Sequence, residues 1–287
     1  MITVIQAIIL GLVQGITELF PISSLGHSVI IPNLLHWHIN QNGQYFLTFL
    51  IATHLATAIV LFLFFLPEWI KIFKGLARSF LQRNIDSNDS YAKLGWLLVI
   101  GSIPAGILGL LFQQSLQKLF ASAQIAAGLL IVNGLILLTA EKLRKRRKNA
   151  RETSEKSADN IAKLGWWQSV GIGTIQSAAL FPGISRSGSS MAGSLLAGLN
   201  NEDAAKFSFL LATPIIGAAA LLKLPGLFNS SAAPIRGAML AGAVAAAVAA
   251  YLSVKFLIKY FQTKTLTPFA IYCLIAGFSL SIYFWVK

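Results

Sequence analysis

Long apolar stretches separated by short polar segments dominate the hydropathy pattern of this chain. A transmembrane helix requires about 20 mostly apolar residues. Six stretches approach or reach this length: 44–66, 94–112, 123–140, 207–222, 237–258 and 266–286. Their Gly and Ala content is typical of packed transmembrane helices, whereas membrane β-strands would be shorter and would alternate apolar with polar residues. The pattern therefore predicts an all-α polytopic membrane protein with six transmembrane helices.

Two further apolar regions, 1–32 and 165–199, do not fit a simple span. Each is interrupted near its middle by a cluster of Pro, Gly and Ser residues, and each contains polar or charged residues. Backbone that leaves the helix at membrane depth is tolerated only where protein or a water-filled cavity satisfies its polar groups. We therefore predict that both regions are re-entrant helical hairpins, which enter and leave the membrane on one face.

Composition favours a lipid bilayer over nucleic acid as the partner of this chain. Hydrophobic residues make up 55% of the sequence and charged residues only 11%, against roughly 25% charged residues in a soluble domain. The net charge of +13 alone would suit nucleic acid, but it accompanies too much apolar sequence. With the N-terminus outside, 18 of the 23 Lys and Arg residues fall on the cytoplasmic side and four on the outer side, as the positive-inside rule expects.

The two halves of the chain repeat one another at a spacing of about 160 residues. Segment 19–28 aligns with 180–190 when Gly183 is treated as an insertion, and 49–53 aligns with 209–213. Each half then contains one broken hairpin and three spans. Since three is odd, the halves must have opposite orientations, and inverted repeats with broken helices place a site near the membrane midplane.

We accordingly predict a single membrane domain over 1–287, with three parts. These are repeat one (about 1–140), a basic cytoplasmic loop (about 141–163) and repeat two (about 164–287). The basic run in the loop directly follows a span, so we interpret it as a topology determinant that contacts anionic lipid and not as a nucleic-acid site.

Glu18 and Arg186 are the two charged residues that lie away from the loops and span ends, one in each broken region. An ionisable side chain inside a membrane indicates a functional site by default. The alternative is a structural Glu–Arg pair that joins the two halves. His54, which lies within a span, is expected to be a hydrogen-bonded structural residue, with a place in the site as the alternative.

The neighbours of Glu18 favour chemistry. Gln14 lies four residues before it, so both side chains share one helix face. Ser23, Ser24 and His27 follow in the turn after the break. A carboxylate, an amide, two hydroxyls and an imidazole are groups that hold a metal ion, activate a nucleophile and transfer a proton.

The second break, 182–190, is a turn rich in Gly and Ser that opens a helix. Backbone N–H groups at a helix start favour an anion, and Arg186 can hold phosphate oxygens with two parallel hydrogen bonds. Ser185, Ser187 and Ser190 add hydroxyl donors. The two breaks together predict a phosphate-binding site that faces an acid/base and metal site.

These residues resemble the motifs of the undecaprenyl-diphosphate phosphatase family, the BacA-type bacitracin-resistance proteins. The first family motif is Glu/Gln-x-x-x-Glu followed by Pro-x-Ser-Ser-x-Gly-His, which is present here at 14–18 and 21–27. The second is Pro-Gly-x-Ser-Arg-Ser-x-x-Thr, which is present at 182–190 with Ser190 in place of Thr. The resemblance covers essentially the whole chain.

The resemblance implies hydrolysis of undecaprenyl diphosphate to undecaprenyl phosphate and inorganic phosphate. This reaction would take place on the outer, periplasmic side of the bacterial cytoplasmic (inner) membrane. It would recycle the lipid carrier of peptidoglycan and other cell-wall polymers and give bacitracin resistance. The resemblance also implies six spans and two re-entrant hairpins in an inverted repeat, and a divalent cation, Mg²⁺ or Ca²⁺.

The matched positions assign expected roles to the site residues. The expected catalytic residues are His27, Ser24 and Glu18, and Glu18 with Gln14 would bind the metal. The hydroxyl and guanidinium groups expected to bind the diphosphate belong to Arg186, Ser185, Ser187, Ser190 and Ser23. The nucleophile remains open among His27, Ser24 and water. A flippase of undecaprenyl phosphate with the same site is the alternative function, and association as a homo-oligomer also remains open.

Overall fold

The computed structural model describes residues 2–117, 122–146, 157–228 and 230–286. Over these residues the chain is helical and contains no β-strand. Residues 147–156 of the predicted basic loop lie outside the described part. The α-helices are α1 (Val4–Thr17), α2 (Ser24–Leu34), α3 (Gln44–Phe64), α4 (Leu66–Gln82), α5 (Ser90–Gln117), α6 (Ala123–Arg146), α7 (Ser157–Ala162), α8 (Trp166–Gln176), α9 (Arg186–Leu196), α10 (Asn201–Phe228), α11 (Arg236–Phe261) and α12 (Thr267–Val286).

Five of these helices, α3, α5, α6, α11 and α12, are long and apolar enough to cross a membrane. They confirm the prediction of an all-α polytopic membrane protein. The predicted span 207–222 lies within α10, which is not among the five found in the described part of the chain. Glu202 and Asp203 occupy the first turn of α10. The apolar part of α10 therefore begins after this acidic first turn.

Both predicted interruptions are present as breaks between short helices. In the first half α1 ends at Thr17 and α2 begins at Ser24. In the second half α8 ends at Gln176, a 3-10 turn (Ser177–Leu180) follows, and α9 begins at Arg186. The two charged residues of the broken regions therefore lie at the edges of the two breaks.

Close helix packing is similar in the two halves. Helix α1 packs along α11, and α8 packs along α5. A Cβ atom added to Gly11 would lie 2.2 Å from the carbonyl oxygen of Gly242, and one added to Gly173 would lie 2.0 Å from that of Gly101. Small residues allow membrane helices this close approach. The same contact thus fixes the first helix of each broken region.

Gly183, the insertion in the repeat, has a positive φ of 106°. An added Cβ would lie 2.4 Å from the carbonyl oxygen of Ala126 on α6. We expect Gly183→Ala to destabilise the protein by more than the roughly 1–2 kcal/mol of the unfavourable backbone conformation, because the Cβ also displaces α6. Thermal unfolding in detergent measures this loss. Gly171→Ala, where the added Cβ meets no atom within 4 Å, is the matched control and should unfold at or above the wild-type temperature.

Candidate active site

The carboxylate of Glu18 is the centre of the site, and the side chain is buried (5% exposed). Its Oε2 accepts hydrogen bonds from Gln14 Nε2 at 2.9 Å and from Ser24 Oγ at 2.6 Å. Its Oε1 accepts from Arg186 Nε at 3.2 Å. His54 Nε2 lies 3.3 Å from Oε2. The two predicted halves of the site are therefore in direct contact.

Arg186 uses only a small part of its hydrogen-bonding capacity in this ion pair. Within the described part of the chain its Nη1 and Nη2 atoms are buried and have no hydrogen-bond partner. A guanidinium carries five N–H donors, so four remain available after Nε has bonded to Glu18. A purely structural pair would engage the planar fork in two parallel bonds. The geometry instead leaves the outer edge of the guanidinium free for an anion.

Both halves of the chain line one cavity of about 160 Å³ at the breaks. This volume holds several water molecules. The polar lining residues are Thr17, Glu18, Ser23, Ser24, His54, Gln176, Ser185 and Arg186. The rest of the lining is apolar and includes Ile215 and Ile216 of α10. A polar end that contains the unpartnered guanidinium donors of Arg186, beside an apolar wall, suits an amphipathic ligand with an anionic head.

Asn133 on α6 holds the two breaks together. Its Nδ2 donates to the carbonyl oxygen of Pro21 at 2.9 Å, and its Oδ1 accepts from the backbone N–H of Ser185 at 3.0 Å. The side chain is fully buried. One amide thus satisfies a backbone acceptor of the first break and a backbone donor of the second, as non-helical backbone in a membrane requires.

Direct contacts also join the breaks. Ser23 Oγ accepts from the backbone N–H groups of Gly26 and Gly183, each at 3.2 Å. Ser23 has a positive φ of 71°, a conformation that costs free energy in a residue with a side chain and that persists only where surrounding contacts hold it. Ser187 Oγ donates to the carbonyl oxygen of Phe20 at 3.2 Å. The hydroxyls of Ser23 and Ser187 therefore have partners within the protein.

Ser185 and Ser190, the other two serines of the second break that were predicted to bind the diphosphate, are also bonded internally. Ser185 Oγ accepts from the N–H of Gly188 at 3.1 Å and so caps α9. Ser190 Oγ donates to the carbonyl oxygen of Arg186 at 2.9 Å and lies 2.5 Å from Ser208 Oγ. Ser185 lines the cavity, whereas Ser187 and Ser190 are not among the lining residues. Contact of these hydroxyls with a diphosphate stays a prediction.

His27 lies outside the set of residues that line the cavity. Its Nδ1 donates to the carbonyl oxygen of Ser23 at 2.7 Å, and its Nε2 lies 2.7 Å from the hydroxyl of Tyr272 on α12. The two rings are stacked, with centroids 5.8 Å apart. The predicted catalytic role of His27 stays a prediction, and its partner Tyr272 carried no signal in the sequence.

His54 lines the cavity. Its Nδ1 donates to the carbonyl oxygen of Leu50 at 2.8 Å, which directs Nε2 to Glu18. It is therefore both a hydrogen-bonded residue and part of the site, so the two expectations for it do not exclude one another. Gln176, which also lines the cavity, was missed, because an amide in an apolar segment has no distinctive spacing.

Comparison with known proteins identifies the family. The model of the family described as "Bacitracin resistance protein BacA" matches residues 7–279, nearly the whole chain. The chain belongs to this family. Both breaks and all of the lining residues of the cavity fall within the matched part.

Relatives from several bacteria match over almost their full lengths. A Frankia alni protein named undecaprenyl-diphosphatase 2 is 40% identical, and the alignment covers 96% of each chain. A Mycolicibacterium paratuberculosis protein named undecaprenyl-diphosphatase is 42% identical, with 95% of this chain and 94% of the relative covered. A Granulibacter bethesdensis protein, also named undecaprenyl-diphosphatase, is 43% identical, with 95% of this chain and 94% of the relative covered.

Proposed function

We propose that this protein is an undecaprenyl-diphosphatase, which hydrolyses undecaprenyl diphosphate to undecaprenyl phosphate and inorganic phosphate. The observation that carries this function is the buried guanidinium of Arg186, whose Nη donors have no partner among the described residues and which lines the same cavity as a serine hydroxyl bonded to Glu18. The names of the relatives support the same substrate. The reaction would return the lipid carrier to the synthesis of peptidoglycan and other cell-wall polymers and so give resistance to bacitracin.

Ser24 is the nucleophile that the geometry favours. Its hydroxyl donates to Glu18 Oε2 at 2.6 Å, so the carboxylate is in position to accept the proton. His27 is less well placed, because it does not line the cavity and both of its ring nitrogens already have partners, the carbonyl oxygen of Ser23 and the hydroxyl of Tyr272. Glu18 thus acts as the general base, and Arg186 stabilises the charge that develops on the phosphate oxygens.

The reaction then proceeds in two steps. The Ser24 oxygen attacks the terminal phosphorus while its proton passes to Glu18. The bond between this phosphorus and the bridging oxygen breaks, and undecaprenyl phosphate leaves. Water next attacks the phosphorus of the phosphoserine while Glu18 returns its proton to the departing serine oxygen, which releases inorganic phosphate and restores both the hydroxyl and the carboxylate. The apolar lining of the cavity, with Ile215 and Ile216, accommodates the start of the prenyl chain.

Gln14 and Glu18 fit a site for Mg²⁺ or Ca²⁺. Gln14 Oε1 is a buried acceptor without a partner among the described residues, and both cations prefer oxygen ligands. No group of three His, Cys, Asp or Glu side chains suited to a metal occurs in the described ranges, so substrate phosphates would complete the coordination. When bound, the cation would offset negative charge on the diphosphate. A chelator is accordingly expected to reduce turnover.

The membrane arrangement that fits this function has six spans and two re-entrant hairpins in an inverted repeat. The breaks that follow α1 and α8, and the matching contacts of α1 with α11 and of α8 with α5, support it. The whole chain then forms one domain in the inner membrane with the loop about 141–163 in the cytoplasm. The cavity opens to the periplasmic side, where the diphosphate is released by cell-wall synthesis.

Purified protein in detergent distinguishes hydrolysis from transport, because a micelle has no two compartments between which a lipid can move. We expect inorganic phosphate and undecaprenyl phosphate to form from undecaprenyl diphosphate in equal amounts. Turnover should fall in EDTA and return when Mg²⁺ or Ca²⁺ is restored. Absence of phosphate release with either cation would instead favour a flippase, which has no need of the bond between Ser24 and Glu18.

Ser24→Ala is expected to reduce kcat by about 10²–10⁴-fold, the range of a lost nucleophile or acid–base contact. Steady-state phosphate release measures the change. The matched control is Ser102→Ala, because the Ser102 hydroxyl donates only to the carbonyl oxygen of Leu98 on its own helix and does not line the cavity. A Ser24→Ala protein with more than a tenth of wild-type kcat would contradict the assignment of the nucleophile.

A further inference from the structure

Gln176, the last residue of α8, is a buried amide that the protein leaves unused. It is only 2% exposed, and neither its Nε2 nor its Oε1 has a hydrogen-bond partner in the described part of the chain. It lines the same cavity as Glu18 and Arg186. Burial of an amide without partners is unfavourable, and buried polar groups in proteins are nearly always bonded. A ligand that enters the cavity is the natural partner.

Counted from the glycine of the close helix contact, Gln176 takes the position of Gln14 in the other half of the chain, whereas counting back from the aligned breaks shifts the match by one residue. Gln14 lies three residues after Gly11, and Gln176 lies three residues after Gly173. Both glycines make the close backbone contact that fixes the first helix of each broken region. The two glutamines therefore lie on corresponding helices, one in each repeat, and Gln176 is the one that lines the cavity.

The surroundings of the two amides differ. In the first half α1 is followed by Glu18, and the Gln14 Nε2 is bonded to this carboxylate at 2.9 Å. In the second half the 3-10 turn Ser177–Leu180 follows α8, and this turn contains no carboxylate. Among the described residues the N–H groups of Gln176 thus have no anionic partner, whereas those of Gln14 do.

The free groups of the cavity define the class of ligand. Arg186 offers four N–H donors and Gln176 two more, all without partners among the described residues. Glu18 is the acidic side chain of the lining, and it already receives donors from Gln14, Ser24 and Arg186. A surplus of donors around a neutralised carboxylate suits an anion with many acceptor oxygens.

We propose that Gln176 is a substrate-binding residue that donates hydrogen bonds from Nε2 to the diphosphate of the prenyl substrate. It would complement Arg186, so that the second repeat supplies the donors to the diphosphate and the first repeat supplies the base. The Oε1 atom of Gln176 remains available to a water molecule. This role of Gln176 rests on the proposed diphosphatase function.

The test compares Gln176→Leu with Gln168→Leu in detergent-purified protein. Gln168 is the matched control because it lies on the same helix and both polar atoms of its amide are hydrogen-bonded within the protein. Its Nε2 donates to the carbonyl oxygen of Ala197 at 3.0 Å, and its Oε1 accepts from the N–H of Gly165 at 2.7 Å. The probe is a prenyl methylenediphosphonate, which cannot be hydrolysed at its bridge, and its binding is measured by calorimetry.

We expect Gln176→Leu to weaken binding of the probe by at least about 10-fold, the effect of a lost hydrogen bond to a charged group. KM for undecaprenyl diphosphate should rise by a similar factor, and kcat should change less. Gln168→Leu should leave the affinity for the probe unchanged. Gln176→Glu keeps the shape of the side chain but places a carboxylate at this position, so it should weaken binding of the probe further. This variant provides a second measurement if Gln176→Leu does not fold.

Equal affinity of the probe for wild type and for either folded Gln176 variant would overturn the role of Gln176. The proposed diphosphatase function would stand in that case, because wild-type binding and phosphate release are measured in the same preparation. A wild-type protein that neither binds the probe nor releases phosphate would overturn the proposed function and the role of Gln176 together.

Discussion

Arg186→Lys is expected to reduce kcat/KM for undecaprenyl diphosphate by about 10²–10³-fold, the loss seen when a preorganised donor to a developing anion is removed. Lysine keeps the positive charge but has no planar fork. It cannot bond to Glu18 through one N–H and present four others to phosphate oxygens, as Arg186 does. Steady-state phosphate release from undecaprenyl diphosphate measures the change.

Arg78→Lys is the control for this substitution. Arg78 forms an ion pair with Asp89 at 2.5 Å, but its side chain is 55% exposed, and exposed ion pairs contribute little to stability. It also lies outside the cavity lining, so turnover should remain at the wild-type rate. Arg186→Lys with more than a tenth of wild-type kcat/KM would show that charge alone suffices and would remove the argument for a bidentate phosphate contact.

Glu18→Gln is expected to reduce kcat by about 10²–10⁴-fold, the contribution of a general base. The amide cannot take the proton of Ser24, and it leaves the buried Arg186 without its counter-charge. Loss of one partner of a buried ion pair destabilises a protein by about 3–5 kcal/mol. Thermal unfolding in detergent must therefore be measured beside turnover, and addition of diphosphate should restore part of the lost stability by pairing with Arg186.

Glu68→Gln is the matched control for Glu18→Gln. Glu68 also pairs with a cation, Lys206, at 3.0 Å, but its side chain is 23% exposed and it does not line the cavity. We expect near-normal turnover from this variant. Substantial turnover by a folded Glu18→Gln protein would contradict the role of Glu18 as base, whatever the behaviour of the control.

The sequence predicted the centre of the site because charge is scarce in an apolar chain. Glu18 and Arg186 were the two charged residues away from loops and span ends, and they form an ion pair across the two breaks. The four-residue spacing of Gln14 and Glu18 predicted their contact, which is a hydrogen bond. Local spacing and rare residue types are properties that a sequence displays directly.

The partners that come from distant segments could not be predicted in this way. Asn133 joins both breaks, and Tyr272 bonds to His27 across 245 residues. Each is one polar residue in an otherwise ordinary span, so neither stands out by type or by spacing. Their roles follow only from the packing of α6 and α12, which are close neighbours.

The fold was predictable at the level of spans and breaks, because apolar length determines the spans and Pro, Gly and Ser mark the breaks. The boundaries were less predictable. Helix α10 extends from Asn201 to Phe228, well beyond the predicted 207–222, since helices continue past the apolar segment into charged turns. The helix α4, which has polar and apolar faces, was not predicted as a separate element.

The central claim is that the two breaks form one active site, and a double-mutant cycle on Glu18 and Arg186 tests it most directly. Phosphate release from undecaprenyl diphosphate is measured for wild type, Glu18→Gln, Arg186→Lys and the double variant. Residues that act as a unit give non-additive losses. We expect wild type to release phosphate and the double variant to be hardly slower than the slower single variant. Losses that multiply, or a wild type without activity, would contradict the claim.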